Sequence, residues 1–233
     1  MQPNTIEYIV LAHRKETSTT KTLFLARIDG IPTQFRAGQY ITVYFPDLSQ
    51  TLGKSYSISS APSEGVFTIT VKAIGRFSNR LCSLNKNDRL LATGPHGDFY
   101  PETDRPLVLI AGGIGITPLR SILIETVTAG SGICPIYLLY SSRLSSDMPF
   151  GKEMSKLSKK VRLLIVLRFI TREPMLERDI HYRRIQPEDI FCNANSKHAE
   201  FLISGSLSFV LEQRKILLKQ GINRERIHAH CFG

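Results

Sequence analysis

The sequence predicts two domains, an N-terminal antiparallel β-barrel followed by a C-terminal α/β domain with a parallel sheet. Three observations lead there. Up to about residue 100, apolar and polar side chains alternate with period two between Gly and Pro breaks. Beyond Pro101, short continuous apolar runs take over. Helical stretches fall between those runs, as a parallel sheet requires. The barrel is assigned to residues 1–101 and the α/β domain to residues 102–233, with the change of pattern between Pro101 and Pro106.

In the barrel, Ile41, Val43 and Phe45 alternate with Tyr40, Thr42 and Tyr44, and Phe67, Ile69 and Val71 with Thr68, Thr70 and Lys72. Such alternation marks half-buried strands. Gly30, Pro32, Gly38, Pro46, Gly53, Pro62 and Gly65 punctuate them. Short strands at this spacing suit a small closed barrel. In the second domain, residues 107–111 form an apolar run suited to a strand buried on both faces. Residues 136–140, 163–167 and 201–203 are similar. Helices are expected over residues 119–128 and 187–193. A third should place Val210, Leu211, Leu217 and Leu218 on one face, with Arg214, Lys215 and Lys219 elsewhere.

Of the 233 residues, 42% are hydrophobic, enough to bury a core. No apolar run reaches the length of a bilayer span. Residues 1–10 lack the layout of a secretion signal, so a soluble, cytoplasmic protein is expected. The four cysteines, Cys82, Cys134, Cys192 and Cys231, lie roughly 40 to 60 residues apart, without metal-ligand spacing. They read as reduced structural thiols, with no quartet for an iron–sulfur cluster. His228 and His230 are two apart, but two imidazoles make a poor site, and no metal is expected. The net charge of +10 is scattered along the chain. It favours acidic partners. No nucleic-acid-binding motif accompanies it.

Four segments carry chemistry. In Lys54-Ser55-Tyr56-Ser57-Ile58-Ser59-Ser60 a cation can hold a phosphate, a ring can stack on a planar isoalloxazine and a hydroxyl can donate to it. The same residues also suit a solvated edge strand. Gly75-Arg76-Phe77-Ser78 reads as a glycine turn with Ser78 as N-cap. The free N–H groups of such a helix start converge on a phosphate, although ordinary capped helices look alike. Ala111-Gly112-Gly113-Ile114-Gly115-Ile116-Thr117-Pro118 follows a buried strand and opens a helix, the context of a dinucleotide-binding turn. Gly113 and Gly115 permit close backbone approach, and Pro118 suits a first helical turn. Ile203-Ser204-Gly205-Ser206 lies between a strand and a helix, so its turn could face the same ligand.

In this order the motifs resemble the ferredoxin-NADP reductase family of flavoproteins across essentially the whole chain. The family's FAD-binding Arg-x-Tyr-Ser reads Lys54-Ser55-Tyr56-Ser57 here, and its Gly-x-x-Ser pyrophosphate helix reads Gly75 to Ser78. Gly94-Pro95-His96-Gly97-Asp98-Phe99 is similar to the segment that closes the family's barrel. Gly113 to Pro118 matches its nicotinamide motif. Its Cys-Gly-Pro turn falls at Ser204-Gly205-Ser206, and its terminal aromatic at Phe232. The departures are Lys54 for Arg, Ser204 for Cys, Ser206 for Pro, and His230 where an acidic residue is frequent.

The resemblance implies an oxidoreductase with FAD and NADPH or NADH as cofactors, in which hydride passes from nicotinamide to flavin. Ser57, Thr117 and Ser204 would be the catalytic residues: Ser57 beside the flavin N5, Thr117 and Ser204 orienting the nicotinamide. Lys54, Tyr56, Ser59, Val71, Gly75, Phe77 and Ser78 would bind FAD. Gly113, Ile114, Gly115, Gly205 and Phe232 would meet the dinucleotide. Arg143 and Arg172 could clasp a 2′-phosphate or be plain surface arginines; the lean is to NADPH. The acceptor would be a separate acidic carrier, ferredoxin or flavodoxin, or an oxygenase component. Two other functions stay open. A free-flavin reductase is favoured by Lys54, and a non-catalytic binding module by Ser204, Ser206 and His230. Oligomeric state is not legible.

Overall fold

The computed structural model describes residues 5–48, 52–100, 104–129, 134–175, 177–191 and 198–232. Its first six strands are β1 (Ile6–Lys15), β2 (Thr20–Arg27), β3 (Tyr40–Tyr44), β4 (Lys54–Ser57), β5 (Phe67–Lys72) and β6 (Arg89–His96). They form an antiparallel sheet in the order β4-β3-β6-β1-β2-β5. Its two ends meet where the chain beyond β4 reaches β5: Ile58 bridges Ile69, and Ser59 N–H donates to Thr68 O at 2.8 Å. The sheet thus closes into the expected barrel. Ile41 and Val43 point into its core with Val10, Leu23, Ile69 and Leu81, as the alternation predicts. Helix α1 (Arg76–Ser83) packs against β5.

The second sheet holds β7 (Leu107–Gly112), β8 (Ile136–Ser142), β9 (Leu164–Ile170), β10 (Ile180–His181), β11 (Glu200–Ser206) and β12 (Ile227–Phe232). Its order is β10-β9-β8-β7-β11-β12, with every neighbouring pair parallel. Leu107, Leu109 and Ala111 face one layer, with α2 (Ile116–Thr128) and α3 (Gly151–Ser158). Val108 and Ile110 face the other, with α4 (Pro187–Phe191) and α5 (Leu207–Lys219). Burial on both faces explains the continuous apolar runs of β7, β8 and β11, whereas on β9 Ile165 is 41% exposed and Val166 and Leu167 are only half-buried. Ala37 and Phe99 of the barrel side join the α2 layer, so the two domains share apolar packing.

Several elements differ from expectation. α2 begins at Ile116, three residues early, because Pro118 is accepted within the first turn. On α5 the buried stripe is Val210, Gln213 and Leu217, while Leu211 is 54% exposed. A step of one residue turns the helix by about 100°, which carries Leu211 off the stripe. The boundary placed at residue 101, Cys192, and the end of the helix expected to reach residue 193 lie outside the described residues. Among the described residues no helix is long and apolar enough to cross a membrane.

Candidate cofactor and active site

β7 lies between β8, reached by the onward chain, and β11, reached by a return. Open parallel sheets bind ligands at such a reversal, beyond the carboxyl ends of the strands. Two adjoining cavities sit there, one on the barrel side and one on the sheet side.

The barrel-side cavity encloses about 720 Å³. Lys54, Tyr56 and Ser57 of β4, Val71 of β5, Gly75, Phe77 and Ser78 at α1, Ile114, Thr117 and Phe232 all line it. Tyr56 is half-buried, and burial pushes its phenol up to about 12, so it stays neutral. Ser57 is 3% exposed, and its Oγ has no hydrogen-bond partner in the protein. An unpaired buried hydroxyl costs about 1–3 kcal/mol, which a ligand atom would relieve. Gly75, not Ser78, is the cap of α1. Glycine has no side chain with which to cap, so Ser78 reaches back from the third helical position. Its Oγ accepts from the N–H groups of Ile74 (3.0 Å) and Gly75 (2.9 Å) and donates to Gly75 O at 3.0 Å. The first-turn N–H groups remain uncapped by any side chain, as an anion site needs.

The sheet-side cavity encloses about 1000 Å³ and is lined by Gly113, Ile114, Arg143, Arg172 and Phe232, with Ser206, Ser208 and Arg184. Arg143 and Arg172 sit at the ends of adjacent strands, joined by Arg172 N–H to Arg143 O at 2.9 Å. Both are exposed. Arg184 is held by Glu212 at 3.0 Å. Lys72, Ile74, Ile114 and Phe232 line both cavities. Lys72 is held from the opposite domain by Asp147, which also accepts from Thr19 Oγ1 at 3.2 Å.

The glycine turn is built for two different reasons. Gly113 has φ +56, with open space at its Cβ position, so its requirement is conformational. A Cβ on Gly115 would lie 2.1 Å from Ser204 O, so its requirement is room. The close approach at Gly115 is thus to the β11 backbone. Thr117 Oγ1 donates to Ile114 O at 3.0 Å, leaving only its lone pairs for a ligand.

Four expected site residues line neither cavity. Ser59 is buried, with its Oγ 2.8 Å from both Thr68 Oγ1 and Thr70 Oγ1, and serves barrel closure. Gly115 lies in the turn ahead of α2, and Gly205 lies within β11 rather than in a turn, with its N 2.6 Å from where a Cβ on Gly115 would be. Ser204 is fully buried, and its Oγ has no hydrogen-bond partner in the protein.

Sequence reading missed Lys72, Thr70, Arg76, Tyr40 and Cys231 as lining residues. Lys72 carried a signal, a charge ending an otherwise buried strand. His230 also lines the cavity, with Nδ1 buried and unpaired. Its ring lies 4.9 Å from Phe232 and 5.4 Å from Phe99, and burial lowers its pKa.

The chain is similar to known proteins domain by domain and as a whole. The family model for an oxidoreductase FAD-binding domain matches residues 9–100, and that for an oxidoreductase NAD-binding domain matches residues 109–210. The chain is 29% identical to the flavohemoprotein of Bacillus subtilis (strain 168) over 238 residues, covering 97% of this chain and 59% of that protein. It is 28% identical to flavohemoprotein A of Dictyostelium discoideum over 248 residues, covering 99% and 61%. It therefore spans about three fifths of the length of these relatives. The flavohem-like FAD/NAD-binding domain of nitric oxide dioxygenase from Vibrio cholerae O1 biovar El Tor matches with a TM-score of 0.85, 26% identity and 98% of both chains covered. Two matched domains in this order, carrying two cavities that meet at their junction, make this chain a member of the ferredoxin-reductase family of FAD- and NAD-binding oxidoreductases.

Proposed function

We propose that the chain takes reducing equivalents from NADPH, with NADH as the alternative donor, and passes them to a separate electron carrier or oxygenase component. The observation that supports this reading is the wall shared by the two cavities at Ile114 and Phe232, across which a flavin in one and a nicotinamide in the other would come within reach of each other. FAD, when bound, supplies the acceptance of hydride and the release of single electrons. The protein's own residues bind and orient. Tyr56 offers a stacking face, while Lys54 and the start of α1 offer charge and N–H groups to a pyrophosphate. The unspent hydroxyl of Ser57 donates to the ring. Thr117 accepts from a carboxamide N–H. Ser204 supports the turn from beneath, and Phe232 keeps water from the shared wall. Hydride transfer needs no general acid or base among them.

Arg143 and Arg172, which make no ion pair among the described residues, favour a 2′-phosphate and hence NADPH. The net charge of +10 favours an acidic carrier through electrostatic steering. A haem acceptor is the second reading, favoured by the names of the flavohemoprotein relatives. Either reading places the chain in the cytoplasm beside its dinucleotide donor.

The test is the visible spectrum of the purified protein, followed by anaerobic addition of each nucleotide. Flavin bands that bleach faster with NADPH are expected. A colourless protein that takes up no added FAD overturns the reading.

A further inference from the structure

Arg120, on the second turn of α2, is 7% exposed. Its guanidinium makes five hydrogen bonds, one for each N–H it owns. Three cross to the barrel side: to Ser59 O at 2.7 Å and to the two carboxylate oxygens of Glu64 at 2.9 and 2.8 Å. Two stay within the α/β domain, to Glu153 of α3 at 3.0 and 2.6 Å. The ring of Phe150 lies 5.0 Å from the guanidinium carbon. Burial raises the Glu64 pKa, but the hydrogen bonds from Arg120 and Ala61 N–H outweigh it, and the carboxyl is held below its ordinary value.

Flanking contacts strap the same segment to α2. Ser121 Oγ donates to Ser60 O at 2.6 Å, and Ser63 N–H to Glu125 at 2.9 Å. The placement in sequence gives the strap its meaning. Residues 59–64 continue directly from the strand that ends in Tyr56 and Ser57. Arg120 follows Thr117 by one turn of helix. The same few residues therefore tie the flavin-side platform to the nicotinamide-side turn. A buried charge left without a partner is strongly unfavourable, so the three bonds to Ser59 O and Glu64 hold the barrel segment against α2.

We propose that Arg120 is a positioning residue for hydride transfer, whose fork across Ser59 O and Glu64 sets the spacing between the Tyr56–Ser57 platform and the Gly113–Thr117 turn. This rests on the function proposed above. Its particular content is an asymmetry. Glu64 and Glu153 share one guanidinium, yet only Glu64 lies across the domain junction.

The experiment compares Glu64→Gln with Glu153→Gln in the full chain loaded with FAD. Anaerobic stopped-flow gives the limiting rate of flavin reduction and the nucleotide Kd, and amide hydrogen exchange is followed at residues 59–64 and 113–117. Glu64→Gln should slow the limiting rate by about tenfold or more, since small misplacements of reacting groups are costly. Its nucleotide Kd should stay within about twofold, because no nucleotide contact is removed. Exchange should accelerate at both segments. Glu153→Gln should leave the limiting rate within about threefold. Equal effects of the two variants, an unchanged rate in Glu64→Gln, or loss of fold and FAD in both would overturn the proposal. Arg120→Lys serves as the third variant, because it keeps the charge but not the planar fork; a wild-type rate there also overturns it. If neither nucleotide reduces the wild-type flavin, the proposed function fails by itself. The exchange data then decide the strap, and unchanged exchange at residues 113–117 in Glu64→Gln overturns it.

Discussion

A buried hydroxyl without a partner is unfavourable, and Ser57 keeps one at the wall of the barrel-side cavity. Ser57→Ala should therefore leave the FAD-free protein as stable or stabilise it by about 1 kcal/mol, because the removed group was unsatisfied. The same change should slow flavin reduction by about tenfold with FAD retained, since one oriented donor is lost. Thermal melts of apoprotein and stopped-flow of holoprotein read the two effects separately. A loss of apoprotein stability would mean the hydroxyl is engaged. His230 makes a pH-dependent contribution. Burial lowers its pKa, so the unfolded chain binds a proton that the folded chain resists. Stability from this group is therefore complete above the unfolded value of about 6.5. It declines as pH falls from there towards the lowered folded value. His230→Phe should flatten that part of the curve of urea midpoint against pH, and an unaltered curve would assign the slope to another group. The sequence showed Ser57 and Tyr56 through a motif. It could not show that Ser57 Oγ is orphaned while Ser59 Oγ, two residues away on the same side of an extended chain, is spent on Thr68 and Thr70. That difference depends on a strand encountered only when the barrel closes.

At the scale of elements, the two glycine turns respond differently to substitution. Gly115→Ala forces a methyl against the Ser204 carbonyl, and backbone cannot move aside as a side chain can. A loss of about 1–3 kcal/mol is expected from such overpacking, measured by urea unfolding. Stability within about 0.5 kcal/mol of wild type would show that β11 yields. Ser78→Ala removes the bonds that close the Gly75 turn ahead of α1. It should cost about 1 kcal/mol and weaken FAD retention on gel filtration. The sequence foresaw a helix at this point but placed Ser78 at the cap, because the cap preference of serine was applied without knowing where helical geometry begins. It foresaw no element at α3, β10 or β12. β10 has two residues, too few for a period. β12 alternates Ile227, Ala229 and Cys231 with two histidines and Phe232, a pattern that shows no clear inside. Its place is set by pairing with β11.

For the whole molecule, the donor and acceptor preferences are matters of charge. Arg143→Ala with Arg172→Ala should raise KM for NADPH by about tenfold or more and leave that for NADH nearly unchanged, as expected for loss of a charged clasp. Equal effects on both nucleotides would remove the 2′-phosphate role. Carrier-linked turnover should fall steeply with salt if the +10 charge steers an acidic partner, because exposed charges are screened beyond about 10 Å at 0.1 M ionic strength. Turnover with a small neutral acceptor should not fall. The sequence by itself determined the two-domain architecture, the barrel followed by the parallel sheet, and the places of the Lys54–Ser57 strand and of the glycine turn along the chain. These follow from local periodicity, turn chemistry and motif order, all written along the chain. Only the tertiary structure decided that the cavities share a wall, that Lys72 of the barrel reaches the sheet-side cavity, that Ser204 lies beneath the turn, and that Arg120 ties Ser59 and Glu64 to α2. Those pairs lie far apart in sequence. Their contact depends on barrel closure, on the strand reversal at β7 and on the packing of one domain against the other, none of which leaves a period in the sequence.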